Sequence, residues 1–116
     1  MTSPTPVTPP TSATSVAGHL EWDDASDEAL ERLGPYVAAA NALVRRLHEP
    51  RPDTGEYDDD FALGARMLAA RLYKRRKSAE GVMAQFSVEG PVYVQRNDPD
   101  VAMLLQLGSW ARPVVG

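Results

Sequence analysis

The stretch that decides the fold is residues 58–77, DDDFALGARMLAARLYKRRK. It begins with three aspartates and ends in a basic cluster, so its charges oppose those of a helix macrodipole at both ends. The residues between are mostly strong helix formers. Twenty helical residues would span roughly 30 Å, about the width of a small domain. The sequence therefore predicts one long helix at the centre of the fold.

This predicted helix carries two apolar stripes. In the first stripe the apolar residues follow one another at spacings of four, three and four, and the second stripe is rotated around the helix. Two apolar faces need two surfaces to bury against, so either a neighbouring subunit covers the second face or the domain itself encloses the helix. The sequence leaves both alternatives open. The stripes are Phe61, Ala65, Leu68 and Leu72, and Leu63, Met67 and Ala70.

This 116-residue chain has room for one domain. Its charge is distributed unevenly along the sequence. Residues 1–60 hold twelve acidic and four basic residues, a net of −8, whereas residues 61–116 hold eight basic and four acidic residues, a net of +4. Such an asymmetry suits subunits that stack an acidic surface on a basic one, although the charges can also cancel within one domain. An acidic chain is a poor candidate for gripping nucleic acid along its whole surface.

Composition also limits the compartment and the kinds of site. The chain has no cysteine, which excludes disulfides and thiolate metal ligands. No apolar run approaches the roughly 18 residues of a membrane helix, and the N-terminus lacks the features of a signal peptide. We expect the protein to be made and used in the cytoplasm, or in a particle assembled there.

The composition divides the chain into three parts. Residues 1–18 are rich in proline, threonine and serine and carry no charge, which predicts an arm that is disordered or ordered by a partner. Residues 19–108 contain the apolar periodicity and form the predicted helical domain. Residues 109–116, SWARPVVG, are too short to fold alone and are predicted to be an extended tail.

Within the domain, the pattern predicts a mainly α fold, a small subunit of four helices. The first helix follows the N-cap candidates around Ser26 and ends at Gly34, and Pro35 begins the second, which continues to about His48. The long helix is third. Asp98 followed by Pro99 predicts the start of the last helix, and Gly108 predicts its end.

A β-hairpin-like excursion is predicted before the last helix. Phe86 and Val88, and then Val92 and Val94, alternate with polar or exposed neighbours on either side of Gly90. Period-two alternation around a glycine–proline pair is typical of a hairpin or an extended loop.

No group of residues in the sequence indicates catalysis, a cofactor or a metal ion. His19 and His48 lie at a segment junction and at a predicted helix end, where the macrodipole favours a cation. Asp58, Asp59 and Asp60 lack the alternating ligands and the central glycine of a calcium loop, so helix N-terminal charge explains them better. We therefore expect no enzyme activity.

Several segments of the C-terminal half resemble a known family. Residues 70–77 read ARLYKRRK, residues 78–82 read SAEGV, residues 91–108 read PVYVQRNDPDVAMLLQLG and residues 112–116 read RPVVG. In this order and spacing they resemble the head-to-tail connector (adaptor) proteins of tailed bacteriophages, in the versions found in phages of actinobacteria. The similarity covers roughly residues 58–116, and its most characteristic parts are 72–76, 94–101 and the ending.

The resemblance implies a structural virion protein. Such subunits form a ring of twelve copies beneath the portal, at the neck between capsid and tail. The ring extends the DNA channel, through which DNA passes without sequence-specific binding, and it docks the stopper or tail-completion protein. No cofactor and no membrane are implied.

Two sets of residues are the candidate interaction sites. The tail carries residue types that often contribute binding energy at interfaces, and the similar connectors use this segment against the portal. The basic end of the long helix is expected to contact acidic residues of a neighbouring subunit. The portal-binding set is Trp110, Arg112, Pro113, Val114, Val115 and Gly116, and the subunit interface set is Leu63, Met67, Arg71, Arg75, Arg76, Asp58 and Asp59.

An alternative function is a small helical nucleic-acid-binding regulator. It would use the basic patch between Arg71 and Lys77, together with a helix–turn–helix whose turn is the Gly34–Pro35 junction. The second helix offers mainly alanine, leucine and valine, which makes it a poor recognition helix.

Overall fold

The fold of this computed structural model is all-α in the residues that it describes, 6–77 and 81–111. The mainly α class predicted from sequence is confirmed, but the described residues form six α-helices rather than four, followed by one short 3₁₀ helix (η1). The helices are α1 Ala13–His19, α2 Asp27–Leu47, α3 Asp59–Lys74, α4 Val82–Glu89, α5 Pro91–Asn97 and α6 Pro99–Leu104, and η1 is Gly108–Trp110.

The helix α3 is the centre of the packing. Its 16 residues make it about 24 Å long, shorter than the predicted helix because residues 75–77 form a turn. The helices α1, α2 and α6 all pack against it, and α5 packs on α6. The rings of His48 and Phe61 stack at 3.9 Å, which places the end of α2 beside the start of α3, so the two helices run antiparallel.

The predicted break at Gly34–Pro35 is wrong, because α2 continues through Pro35 as one helix of 21 residues. A proline inside a helix removes one hydrogen bond and costs about 3 kcal/mol. Burial outweighs this cost, since Leu33 on one side of the proline and Val37 on the other lie on a single buried stripe. Ser26 is the N-cap, and its hydroxyl accepts a hydrogen bond from the Ala29 N–H at 3.2 Å.

The predicted β-hairpin is also wrong: two short helices, α4 and α5, occupy that region. Gly90 joins them with a φ of 45°, and Pro91 is the first residue of α5. Only part of the apolar alternation is buried, because Val88 is 87% exposed and Val92 is 56% exposed. The buried partners follow helical geometry instead, and the rings of Phe86 and Tyr93 meet edge to face at 5.9 Å.

The N-terminal segment differs from the predicted arm. Residues 13–19 form α1, and Val16 and Ala17 are buried in the core. Ser12 is the N-cap of this helix, and its hydroxyl accepts a hydrogen bond from the Ser15 N–H at 3.2 Å. Val16 is completely covered because it meets the surface between α2 and α3.

Gly64 is required where α6 crosses α3. A Cβ atom added there would lie 2.7 Å from Leu105 Cδ2 and 3.3 Å from Leu104 Cβ. We expect Gly64→Ala to lower the free energy of unfolding by about 1–3 kcal/mol, because Leu105 is fully buried and has no room to move.

Gly18 provides the matched control, since it is also helical, in α1, and an added Cβ there would meet no atom within 4 Å. Gly18→Ala should raise the stability by up to about 1 kcal/mol through helix propensity. Denaturant unfolding of both variants measures the difference. Equal effects at the two positions would contradict the close approach of α6 to α3.

Candidate interaction surfaces

A buried aspartate joins the two most characteristic segments of the C-terminal half. Asp98, at the junction of α5 and α6, has a side chain that is 1% exposed. Its carboxylate accepts hydrogen bonds from Arg75 at 2.6 and 2.7 Å and from Arg71 at 3.1 Å. Arg75 also donates to the Tyr93 hydroxyl at 3.2 Å. The carboxylate therefore links the end of α3 to the start of α6.

Asp100 extends this cluster to the surface. Its two carboxylate oxygens each accept a hydrogen bond from Arg71 at 2.6 Å, a bidentate pair. These bonds lower the pKa of the Asp100 carboxyl to about 2. The bonds to Asp98 raise the pKa of Arg75 above its ordinary value. Asp100 and the two arginines therefore stay charged over the whole neutral range. We call the cluster of Arg71, Arg75, Asp98 and Asp100 the ionic clamp.

The clamp changes the role expected for Arg71 and Arg75. Both were predicted to contact a neighbouring subunit, whereas the structure engages both within their own chain. Asp58 likewise pairs with Arg51 at 2.7 Å, while Asp59 is exposed in the first turn of α3. Of the predicted charged interface residues, Arg76 and Asp59 are therefore the ones best placed to meet another molecule.

Arg76 belongs to an aromatic cluster that the sequence analysis did not identify. Its guanidinium lies 3.8 Å from the centre of the Tyr73 ring, a cation–π contact. Trp22 and Tyr36 approach the same ring edge to face, at 5.4 and 5.6 Å. The only hint in the sequence was a tyrosine within the basic run, since the other two rings come from distant positions. The cluster fixes the linker before α2 to the end of α3.

The same contacts bring an acidic and a basic stretch of the chain near each other. Trp22 lies in the acidic stretch 21–31 and touches Tyr73, which borders the basic stretch 74–77. Because α2 and α3 are antiparallel, the acidic beginning of α2 lies at the same end of the molecule as the basic end of α3. The two stretches therefore lie near each other, which is the arrangement that cancellation within one domain requires.

The apolar members of the predicted subunit interface, Leu63 and Met67, are half-buried. Met67 packs against the core, and Ala70 on the same stripe is buried. The domain therefore supplies most of the cover for the second face of α3. A neighbouring copy could contact only the exposed edges of these two side chains.

Of the exposed large apolar side chains, Val7 and Leu47 lie in the N-terminal half and the other four in the C-terminal half. Val88 and Val92 flank the turn at Gly90, and Met103 lies on α6. Trp110, in the 3₁₀ helix, is 51% exposed. Its exposure shows that it does not fold back completely over the core. The predicted anchor residues Arg112, Pro113, Val114, Val115 and Gly116 lie outside the described residues.

An open cleft of about 520 Å³ lies between the end of α3 and the pair α4–α5. Charged side chains of both signs line it, and two of them, Arg96 and Glu89, form an ion pair with each other. A cleft in which arginines are already paired has little charge left for a ligand. Its lining residues are Arg75, Val82, Gln85, Glu89, Tyr93, Arg96 and Asn97.

The two histidines have structural surroundings. The His48 Nε2 atom lies 2.7 Å from the Leu105 carbonyl oxygen and its ring stacks on Phe61, so it connects α2, α3 and the end of α6. Partial burial, together with the charges of Arg66 and Lys74, lowers the pKa of His19. Among the described residues, no three histidine, aspartate or glutamate side chains converge as metal ligands.

Among the same residues, no helix is both long enough and apolar enough to cross a bilayer. Comparison with known proteins found no match to a family model, to a curated protein or to a solved structure.

Proposed function

We propose that this chain is a head-to-tail adaptor of a tailed bacteriophage. Copies of the chain form a ring beneath the portal, of twelve subunits as the resemblance implies. The ring extends the DNA channel and docks the stopper protein below. DNA passes through the lumen without being read, and the protein is a structural part of the virion neck with no catalytic role.

The observation that best supports this proposal is the meeting of residues 72–76 and 94–101 at Asp98. These segments are the most characteristic parts of the resemblance, and they lie about twenty residues apart in the sequence. In space they form one unit through Arg75, Asp98 and Tyr93. If the resemblance involved only unrelated surface patches, there would be no reason for these two segments to form charged hydrogen bonds with each other.

The position of the tail also supports the proposal. The 3₁₀ helix packs on α5 and α6, so the chain leaves the domain beside the ionic clamp. Trp110 is half-exposed at that point, four residues before the first valine of the ending. A tryptophan at this position suits an anchor, because large aromatic side chains often carry binding energy at interfaces.

Deletion of residues 112–116 should abolish binding to the portal while leaving the melting temperature of the free subunit unchanged. The reason is that these residues follow the last contact of the 3₁₀ helix, the Ala111 N–H to the Gly108 carbonyl at 3.1 Å. A pull-down with portal protein, alongside a thermal melt, measures both effects.

Val88→Ser is the matched control for this deletion, since it removes an exposed apolar side chain from another part of the surface. It should retain portal binding. A truncated protein that still binds the portal like the full chain would contradict the anchor role of the tail.

The charge reversal of Arg76 is the cleaner probe of contacts between subunits. Reversal at Arg75 would break its hydrogen bonds to Asp98 and damage the fold before any assembly step. Arg76→Glu removes only the cation above Tyr73 and a bond to the Tyr73 carbonyl. Its effect on ring formation therefore reports on the interface rather than on folding.

The alternative function, a nucleic-acid-binding regulator, has less support. The turn it needs at Gly34–Pro35 lies inside one continuous helix. Two of the cations it needs, Arg71 and Arg75, are paired with aspartates. A salt-dependent gel shift on duplex DNA separates the two functions, because a regulator should bind at low micromolar concentration and the adaptor only weakly and without sequence preference.

A further inference from the structure

The N-terminal part of the chain is attached to the domain by contacts with distant residues. We define residues 6–19, which include α1, as the strap. Asn41 of α2 holds it through two hydrogen bonds, accepting from the Thr11 N–H at 2.9 Å and donating to the Thr11 carbonyl at 3.0 Å. Both residues are buried. Nearer the N-terminus, the Thr8 N–H donates a hydrogen bond to the Gly55 carbonyl at 2.8 Å.

The strap also completes the core. Val16 is fully buried and Ala17 nearly so, and α1 packs on both α2 and α3. Without the strap, the surface between these two helices would be an apolar groove, and the buried amide of Asn41 would lose both partners. A buried polar group without hydrogen-bond partners destabilises the fold, because it has also lost its contact with water. The groove therefore needs a strap, but its chemistry does not specify which copy of the chain provides it.

The linker that follows the strap, residues 20–26, contains local strain. Glu21 has a φ of 61° and Asp24 a φ of 49°, the left-handed region that residues with a Cβ atom avoid. The left-handed conformation brings the Cβ atom of each residue too close to the following carbonyl oxygen, so it is less stable than the right-handed one. The linker needs these conformations because it must reverse the chain between α1 and α2 within seven residues.

We infer that the strap exchanges between neighbouring copies of this chain, so that the strap of one subunit fills the groove of the next. The contacts that the strap makes with α2, α3 and Gly55 are then kept unchanged. They join two subunits instead of two parts of one chain. An extended linker of seven residues spans about 23–25 Å. The shortest dimension of the molecule is 22 Å, so the linker can reach a copy packed along that direction.

The balance between the two arrangements depends on concentration. Exchange relieves the strained linker but gives up its contacts, among them the edge-to-face pair of Trp22 with Tyr73 and the bond from the Trp22 N–H to the Ala17 carbonyl. A dilute chain therefore keeps its own strap. Neighbours held at a millimolar effective concentration, as in a ring, favour exchange. Only this use in a ring rests on the proposed function.

Cross-linking tests the exchange directly, because the chain has no cysteine of its own. Thr8 and Glu56 are both exposed, and the Thr8 N–H bonds to the residue preceding Glu56. Full-length Thr8→Cys and Glu56→Cys chains are unfolded, mixed and refolded together, then treated with a short bismaleimide. We expect a cross-linked dimer after refolding at millimolar concentration, and at least tenfold less of it at low micromolar concentration.

Two controls make this result interpretable. The double variant Thr8→Cys/Glu56→Cys, refolded dilute, should cross-link within one chain. Ala84→Cys, on the exposed side of α4, replaces Glu56→Cys as a position away from the strap. Absence of the mixed dimer at every concentration, while the double variant cross-links, overturns the inference. An equal yield with Ala84→Cys also overturns it, since random collisions would then explain the dimer.

The strain in the linker offers a second test of the inference. Glu21→Gly/Asp24→Gly relieves this strain, because glycine adopts a positive φ without a steric penalty, and it should reduce the exchanged fraction of the cysteine mixture roughly tenfold. An exchanged fraction equal to that of the mixture without these substitutions overturns the inference.

Discussion

Replacing Asp98 by alanine is expected to lower the free energy of unfolding by about 3 kcal/mol. The carboxylate is buried, and it is the common acceptor for Arg71 and Arg75. Its removal leaves two guanidinium groups without their counter-charge. We place the loss at the lower end of the range for broken buried pairs, because both arginines keep partial access to water. A shift of this size lowers the melting temperature by roughly 12–24 °C.

Asp100 is the matched control for this prediction. It binds the same arginine two residues farther along, but its side chain is 50% exposed. Asp100→Asn should cost less than about 1 kcal/mol, as is usual for pairs at the surface. Asp98→Asn keeps the shape of the side chain but not its charge, so it should lie between the two. Equal melting temperatures for Asp98→Ala and Asp100→Asn would show that burial of the clamp contributes nothing.

The clamp also predicts that the stability of the protein falls at acidic pH. The pKa of Asp100 in the folded protein is lowered to about 2 from an ordinary value near 3.8. The stability contributed by its pair with Arg71 is therefore complete above pH 4 or so, and it is lost as the pH falls toward 2. In the Asp100→Asn variant this part of the acid sensitivity should be absent.

Replacing Leu68 by alanine is expected to cost about 2–5 kcal/mol. Leu68 lies in the middle of α3 and is fully buried. Because α1, α2 and α6 enclose this helix, the cavity left by the lost side chain cannot collapse easily. A domain of this size has only about 5–15 kcal/mol of stability in total, so the variant should unfold at a far lower denaturant concentration.

Met103→Ala provides the comparison, since methionine and leucine are of similar size and Met103 is exposed on α6. Its effect should remain within about 0.5 kcal/mol. Guanidinium unfolding curves of the two variants give the difference. If Leu68→Ala unfolds at the same midpoint as Met103→Ala, α3 is not the centre of the core.

The sequence alone determined the features that depend on local chemistry. The charges and apolar stripes of residues 58–77 identified α3, and Phe61, Leu68 and Leu72 are buried as their spacing indicates. Pro99 is the first residue of α6, as predicted from the pair that it forms with Asp98. Each of these signals needs only residues within a few positions of each other, so no partner from elsewhere in the chain was required.

The short helices α1, α4 and α5, of seven, eight and seven residues, were misassigned from the sequence. The long helix α2 was also wrongly divided at Gly34–Pro35. Isolated helices as short as α1, α4 and α5 are not stable in water, so packing decides whether they form. The spacing of the apolar residues between positions 86 and 94 fits the two-residue period of a strand as well as the period of a helix. Contact between Phe86 and Tyr93 resolves that ambiguity only after α4 and α5 have packed together.

The tertiary structure alone decided where the charges and the N-terminus go. Arg71 and Arg75 suited a partner in another subunit until the fold brought Asp98 between them, from more than twenty residues away. Asn41 gave no signal in the sequence, yet its amide holds the strap through Thr11, thirty residues earlier. Pairings at such separations have no periodic trace in a sequence, because they are fixed by the shape of the packed core.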